Sequence, residues 1–144
     1  MPKDNFHDRS DTGKPLSHCK AFLICEKVSE SQITGKVTLH NLIEGFRCKV
    51  FPGRSTPFVA FLQVYDGIGR YPMRLELNDL GDGATLAALQ LDDLDFPSRL
   101  TRIQLMAAVD FVPLPRPGRY ELVLLVGGEP LATQHFQAEV DDGT

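Results

Sequence analysis

Apolar and polar residues alternate with a period of two along much of this chain. The segments RYPMRLELND and TRIQLMAAVDFV show the pattern most clearly. Such alternation is typical of a β-strand with one buried and one solvated face. The residues predicted to face inward are Tyr71, Met73, Leu75 and Leu77 in the first segment and Ile103, Leu105, Ala107, Val109 and Phe111 in the second.

Two segments are apolar at nearly every position. PFVAFLQVY predicts a central strand buried on both faces. AFLICEKV and KVTLHNLIEGF flank the polar turn SESQITG and predict a first hairpin, while DGIG joins PFVAFLQVY to RYPMRLELND and predicts a second. The adjacent residues Leu42 and Ile43 break the alternation and predict a β-bulge.

The last third of the chain predicts a closing hairpin about Gly127 and Gly128. Before it, ATLAALQL has the composition of a helix but the length of a strand, and we predict a strand. LDDLDFPSR is predicted to be a loop. Pro115, Pro117 and Gly118 form a sharp corner that the hydroxyl of Tyr120 is expected to fix. The hairpin residues predicted to face inward are Tyr120, Leu122, Leu124, Val126, Phe136, Ala138 and Val140.

About eight strands with turn signals roughly every ten residues predict an all-β fold, an antiparallel β-sandwich of immunoglobulin-like type. The length of 144 residues and the 42% hydrophobic content match one domain, predicted over residues 19–141. Residues 1–18 have mixed charge and no periodicity, so we predict a disordered N-terminal tail.

Charge and cysteine content narrow the functional classes. The net charge is −4 and the basic residues are dispersed, which argues against a nucleic-acid partner. The chain has no apolar run long enough for a membrane span and no secretory signal, so a cytoplasmic location is expected. Cys19, Cys25 and Cys48 have the spacing of neither a disulfide framework nor a zinc knuckle.

The sequence contains no recognisable catalytic motif, and we predict no cofactor and no metal. The GxG of GIGRY lies between two strands, where no helix N-terminus is available to hold a phosphate. The aspartates of NDLGDG and LDDLD are expected in solvated turns rather than in a calcium site. Two alternative hypotheses involve titratable side chains: a metal site drawn from His18, Cys19, His40 and Cys48, and an enzyme whose site pairs His40 with Cys48.

A binding module is the favoured function, with another protein as its partner. In RCKVFPGRSTP, the aromatic ring of Phe51 lies among Arg47, Lys49 and Arg54, a combination suited to an acidic partner. The competing interpretation is that this segment connects two sheets and Phe51 packs into the core. A second alternative is a structural protein that forms homo-oligomers by pairing edge strands.

Three short motifs carry a resemblance to a known group of proteins. They are Gly35 and Lys36, then Asp66, Gly67, Gly69 and Tyr71, and finally Pro117, Gly118, Tyr120, Gly128 and Glu129. Over about residues 20 to 140 the chain resembles a family of uncharacterised bacterial β-sandwich proteins with a domain of unknown function. This resemblance implies the fold but no catalytic residue.

Overall fold

A computed structural model describes residues 18–143, and all regular secondary structure in that range is β-strand. The described residues form eleven strands: β1 (His18–Glu30), β2 (Val37–Leu42), β3 (Gly45–Cys48), β4 (Gly53–Arg54), β5 (Phe58–Tyr65), β6 (Gly69–Asp79), β7 (Thr85–Phe96), β8 (Arg102–Val109), β9 (Pro113–Leu114), β10 (Gly118–Val126) and β11 (Glu129–Val140). The all-β prediction is confirmed, although the strands outnumber the eight expected.

The strands form two principal sheets. The four-stranded sheet has the order β2-β1-β5-β8, and the five-stranded sheet has the order β3-β11-β10-β6-β7. Neighbours run antiparallel except for β3 and β11, which are parallel. Strands β4 and β9 form a separate two-stranded ladder. An immunoglobulin-like arrangement of these sheets stays a prediction.

One apolar core joins the inward faces of both sheets. The predicted inward residues of β6 are all buried within it. Phe46, Phe136 and Tyr120 of the five-stranded sheet form a chain of ring contacts that reaches Phe58 of the four-stranded sheet. Phe111 and Val140 were predicted wrongly to face inward, since they are 47% and 50% exposed. Phe111 lies beyond the end of β8, and Val140 is the last residue of β11.

The first predicted hairpin is confirmed, but the second is wrong. Strand β5 pairs with β1 and β8, whereas β6 pairs with β10 and β7. The DGIG segment therefore carries the chain from one sheet to the other. A Cβ on Gly67 would lie 2.7 Å from the Phe96 ring, and the Tyr71 hydroxyl accepts a hydrogen bond from the Ile68 amide at 3.1 Å.

The predicted bulge at Leu42 and Ile43 is a second crossover. Strand β2 ends at Leu42, and the chain enters the five-stranded sheet at Gly45. Asn41 adopts a left-handed backbone conformation with φ of 57° just before this change of sheet. The amide of Ile43 donates a hydrogen bond to the Ile24 carbonyl of β1 at 2.9 Å, so contact with β1 continues one residue beyond β2. The apolar alternation breaks here because the chain leaves β1 and changes sheet.

Strand β7 extends further than the sequence predicted. The strand over residues 84–91 is confirmed from Thr85 onward, but the predicted loop in LDDLDFPSR is wrong up to Phe96. Leu94 and Phe96 are buried, and this burial continues the strand through its acidic segment. Asp92 and Asp93 lie opposite the single residue Pro72, which marks an irregularity in the ladder.

The closing hairpin is confirmed, and the Tyr120 hydroxyl fixes its corner. The hydroxyl donates to the Arg116 carbonyl and accepts from the Arg116 amide at 3.2 Å. The Arg116 guanidinium lies 3.1 Å from Asp79, and Asp79 also accepts from the Gly81 amide at 2.8 Å. Asp79 was expected to be solvated, yet it is 3% exposed because it ties two turns together.

Strand β1 begins at His18, which the sequence had assigned to the tail. The rest of the predicted tail, residues 1–17, lies outside the described residues. Between His18 and Gly143, the structure contains no helix able to cross a membrane.

Candidate functional site

The four residues predicted to bind a partner lie in the stretch from β3 to β4, at Arg47, Lys49, Phe51 and Arg54, but have separate environments. The Arg47 guanidinium is 4.0 Å from a carboxylate oxygen of Asp142, and the Arg54 guanidinium lies 4.6 Å from the centre of the Phe111 ring. Lys49 is exposed. Phe51 is half-buried against the core, as the competing interpretation expected. The role of this loop in binding stays a prediction.

The residues of the enzyme and metal hypotheses lie in different sheets. On the four-stranded sheet, Nε2 of His40 is 2.8 Å from the Ser29 hydroxyl. Cys48 belongs to β3 of the five-stranded sheet, where its thiol contacts the Arg54 carbonyl at 3.5 Å. His18 pairs with Asp66 at 3.3 Å. Within residues 18–143, no three His, Cys, Asp or Glu side chains are grouped so that they could hold a metal ion.

A different surface stands out on the four-stranded sheet. Its core-facing residues include Phe22, Ile24, Ala60 and Leu62, so the alternate positions face outward. The strand register brings the apolar outward residues into adjacent rows across all four strands. We call this surface the apolar band, and it comprises Leu23, Cys25, Leu42, Val59, Phe61, Met106 and Ala108.

The apolar band has a buried centre and exposed margins. Cys25 and Phe61 are 0% and 5% exposed, whereas Leu42 and Met106 are 57% and 42% exposed. Burial raises the pKa of the Cys25 thiol, and this effect outweighs its hydrogen bond to the Lys27 carbonyl. The thiol is therefore held neutral and acts as a small apolar group rather than as a nucleophile.

Three basic side chains lie at the margins of this face, and the exposed Asp110 follows the end of β8. Lys20 and Arg102 line a concave pocket of about 480 Å³ at one end of the face, together with Gln63, Tyr65 and Gln104. Lys27 lies on the opposite side of the apolar band. None of the outward-facing residues of the four described strands is acidic.

The nearby carboxylate of Asp66 is already engaged by other cations. It lies 3.3 Å from His18 and 3.5 Å from Arg99. In the described part of the chain, the side chains of Lys20 and Arg102 take part in neither an ion pair nor a hydrogen bond. This face therefore combines apolar side chains with positive charge that is not neutralised locally.

The sequence contained a signal for this surface that was interpreted differently. PFVAFLQVY was predicted to be a central strand buried on both faces because both sets of alternate residues are apolar. Strand β5 does lie between β1 and β8, but only one of its faces packs into the core. A strand that is apolar on both faces but covered on one indicates a surface suited to a partner.

Most of the chain matches the model of a protein family. Residues 20–139 match the model of a family of unknown function, DUF6941. The chain belongs to this family. The resemblance to an uncharacterised domain family is therefore confirmed. In this DUF6941 protein, the motif residues Gly67, Tyr71 and Tyr120 shape turns.

The chain is also similar to solved structures. No curated protein matches this chain. Among solved structures, the chain is similar to the Pseudomonas fluorescens alkylpurine DNA glycosylase AlkC bound to DNA containing an abasic site analog. The identity is 13% and the TM-score is 0.48, over 62% of this chain and 26% of that one. The chain thus spans 26% of the length of that glycosylase.

Proposed function

We propose that this protein is a non-catalytic, cytoplasmic interaction module that binds another protein through the outer face of its four-stranded sheet. The observation that carries the proposal is the apolar band. It crosses four strands, a width of about 14 Å at the usual strand spacing. Contiguous apolar surface on a folded domain marks an interaction site more often than scattered single residues do.

The arrangement of the band supports a protein partner. Interfaces typically combine a buried apolar centre with a polar rim. Phe61 and Cys25 are already covered in the free chain, so the apolar area open to a partner is supplied by the exposed Leu42 and Met106 and the half-buried Leu23 and Val59. The basic residues lie outside these, as a rim does. The three free cysteines, Cys19, Cys25 and Cys48, support a reducing compartment.

Self-assembly through edge strands is the alternative function. Strand β8 supports it, because it is a sheet edge of eight residues. Strand β7 is a poorer edge, since Asp92, Asp93 and Asp95 place charge along it. Symmetric pairing of the outer faces themselves is disfavoured, because it would bring Lys20, Lys27 and Arg102 of each copy towards those of the other. Light scattering over a range of concentrations tests this alternative.

Site-specific photo-crosslinking in the native cell tests the proposal. A photoreactive amino acid at Met106 is expected to crosslink to one discrete partner. The matched control is the same substitution at Leu100, which is 91% exposed but lies in the turn before β8. A third position, Lys49, reports on the loop that contains Arg47, Phe51 and Arg54.

Each outcome has a definite meaning for the proposal. A partner that crosslinks from Met106 and not from Leu100 supports it. Crosslinks from Lys49 only would move the site to the loop. Crosslinks of the chain to itself would favour self-assembly, and equal labelling from Met106 and Leu100 would refute a specific face.

A further inference from the structure

The pocket beside the apolar band has the chemistry of a carboxylate site. Lys20 and Arg102 lie on β1 and β8, on either side of Tyr65 in β5. Two strand spacings separate these outer strands by about 10 Å. The Lys20 side of the pocket is formed where the register between β1 and β5 shifts, between Cys19 and Ala21. This irregularity allows Lys20 to join the outward-facing residues of the sheet.

The polar groups around the pocket are donors that suit an anion. Lysine and arginine supply only donors, and a phenol hydroxyl can donate a further hydrogen bond. Gln63 and Gln104 form a hydrogen bond to each other at 2.9 Å, which holds the pocket floor. The arginine fork matches the two oxygens of a carboxylate.

We propose that this pocket receives an aspartate or glutamate side chain from an acidic, amphipathic segment of the partner protein. The inference rests on the proposed function, because the same segment would cover the apolar band. Charge complementarity selects the partner: Lys20 and Arg102 make the pocket end of this face basic, and none of the outward-facing strand residues is acidic.

The spacing between the two parts of the face defines the segment further. The exposed Met106 and Arg102 are four residues apart on β8, which corresponds to about 13 Å along the strand. A helix laid along β8 covers that distance in about nine residues. The segment should therefore place an acidic residue about nine positions from its apolar anchor.

Two synthetic helical peptides of about 20 residues test the assignment. Both carry the same leucine pattern, but one has glutamate and the other lysine at the charged positions. Titration of isotope-labelled protein should show the glutamate peptide binding about tenfold more tightly at low salt. The amide signals of Lys20, Tyr65 and Arg102 should shift. A third titration uses glutarate, a free dicarboxylate.

Charge reversal supplies the matched variants. Lys20→Glu combined with Arg102→Glu should abolish or invert the preference for the glutamate peptide. The control, Lys36→Glu combined with Lys49→Glu, changes the net charge equally, and both positions are exposed and lie outside the pocket and the apolar band. It should keep the preference. Both variants can be checked for folding by their amide spectra.

The outcomes separate this inference from the proposed function. Equal affinity for the two peptides, no binding of either, or loss of preference in the control variant overturns the carboxylate assignment. Glutarate binding as tightly as the glutamate peptide would replace the partner segment with a small molecule. If crosslinking from Met106 persists in the Lys20→Glu, Arg102→Glu variant and the peptides show no preference, the interaction module stands and the carboxylate site fails.

Discussion

At the residue scale, Tyr120 shows how a single side chain can fix a turn. Its ring is fully buried and stacks on Phe136 at 5.6 Å between centroids. Its hydroxyl holds both backbone groups of Arg116 at the start of the closing hairpin. Burial raises the pKa of the Tyr120 phenol, while its hydrogen bond to Arg116 opposes the increase. The residue therefore serves the fold as a neutral donor.

Replacing Tyr120 with phenylalanine should destabilise the protein by about 1–2 kcal/mol, because two backbone groups of Arg116 lose their partner. Denaturant unfolding measures the loss. Tyr65→Phe is the matched control, since Tyr65 is 39% exposed and its hydroxyl has no hydrogen bond within residues 18–143. That variant should change stability by less than about 0.5 kcal/mol.

The free energies of unfolding of wild type and Tyr120→Phe should differ less at alkaline pH. Because the folded-state pKa of Tyr120 is raised, its stabilising contribution is complete below the unfolded value of about 10 and is lost as the pH rises above it. The free energies of unfolding of wild type and Tyr120→Phe should therefore converge above that pH. A constant difference across this range would show that ionisation of Tyr120 is not linked to folding.

At the element scale, the sequence predicted which face of a strand is buried more reliably than which strand is its neighbour. The alternation in β6 and β8 depends on local residue order, so Met73, Leu75 and Leu105 were placed on the correct face. The pairing of β5 with β8 joins Phe58 to Val109, far apart in sequence, and no local pattern encodes it. The predicted hairpin between β5 and β6 was wrong for this reason.

The candidate site was missed for a related reason. A strand that is apolar on both faces has the same pattern whether its second face meets this chain or another one. The loop from Arg47 was visible because its charges and aromatic ring are adjacent in sequence. The pocket at Lys20 and Arg102 depends on the pairing of β1 and β8 with β5, and only the three-dimensional structure brings these residues together.

The crossover between β5 and β6 makes a sharp prediction about Gly67. A Cβ at this position would meet the buried Phe96 ring at 2.7 Å, so Gly67→Ala should cost about 1–3 kcal/mol. Phe96→Leu removes the obstructing ring but leaves a partly filled space. In a double-mutant cycle, Gly67→Ala should cost less in the Phe96→Leu background. Additive losses would show that the Phe96 ring is not what excludes a Cβ at Gly67.

At the scale of the whole molecule, one aromatic cluster links the two sheets. Phe46 enters the core from β3 and lies 5.2 Å from Phe136 and 5.6 Å from Phe58, measured between ring centroids. Phe58 belongs to β5, the strand whose opposite face carries the centre of the apolar band. The core and the proposed binding surface thus share a strand, and the rigidity of that surface depends on the packing beneath it.

Phe46→Ala should destabilise the whole domain by about 3–5 kcal/mol, because it opens a cavity where the two sheets meet. Hydrogen exchange should show the loss equally in β5 and β10, since one shared core predicts one cooperative unit. Val123→Ala is the control: Val123 is 7% exposed but lies outside the core cluster, and its loss should cost about 1–2 kcal/mol. If Phe46→Ala accelerates exchange in β10 while β5 keeps its protection, the sheets unfold separately. In that case the apolar band is carried by a four-stranded sheet that does not depend on the other sheet for its stability.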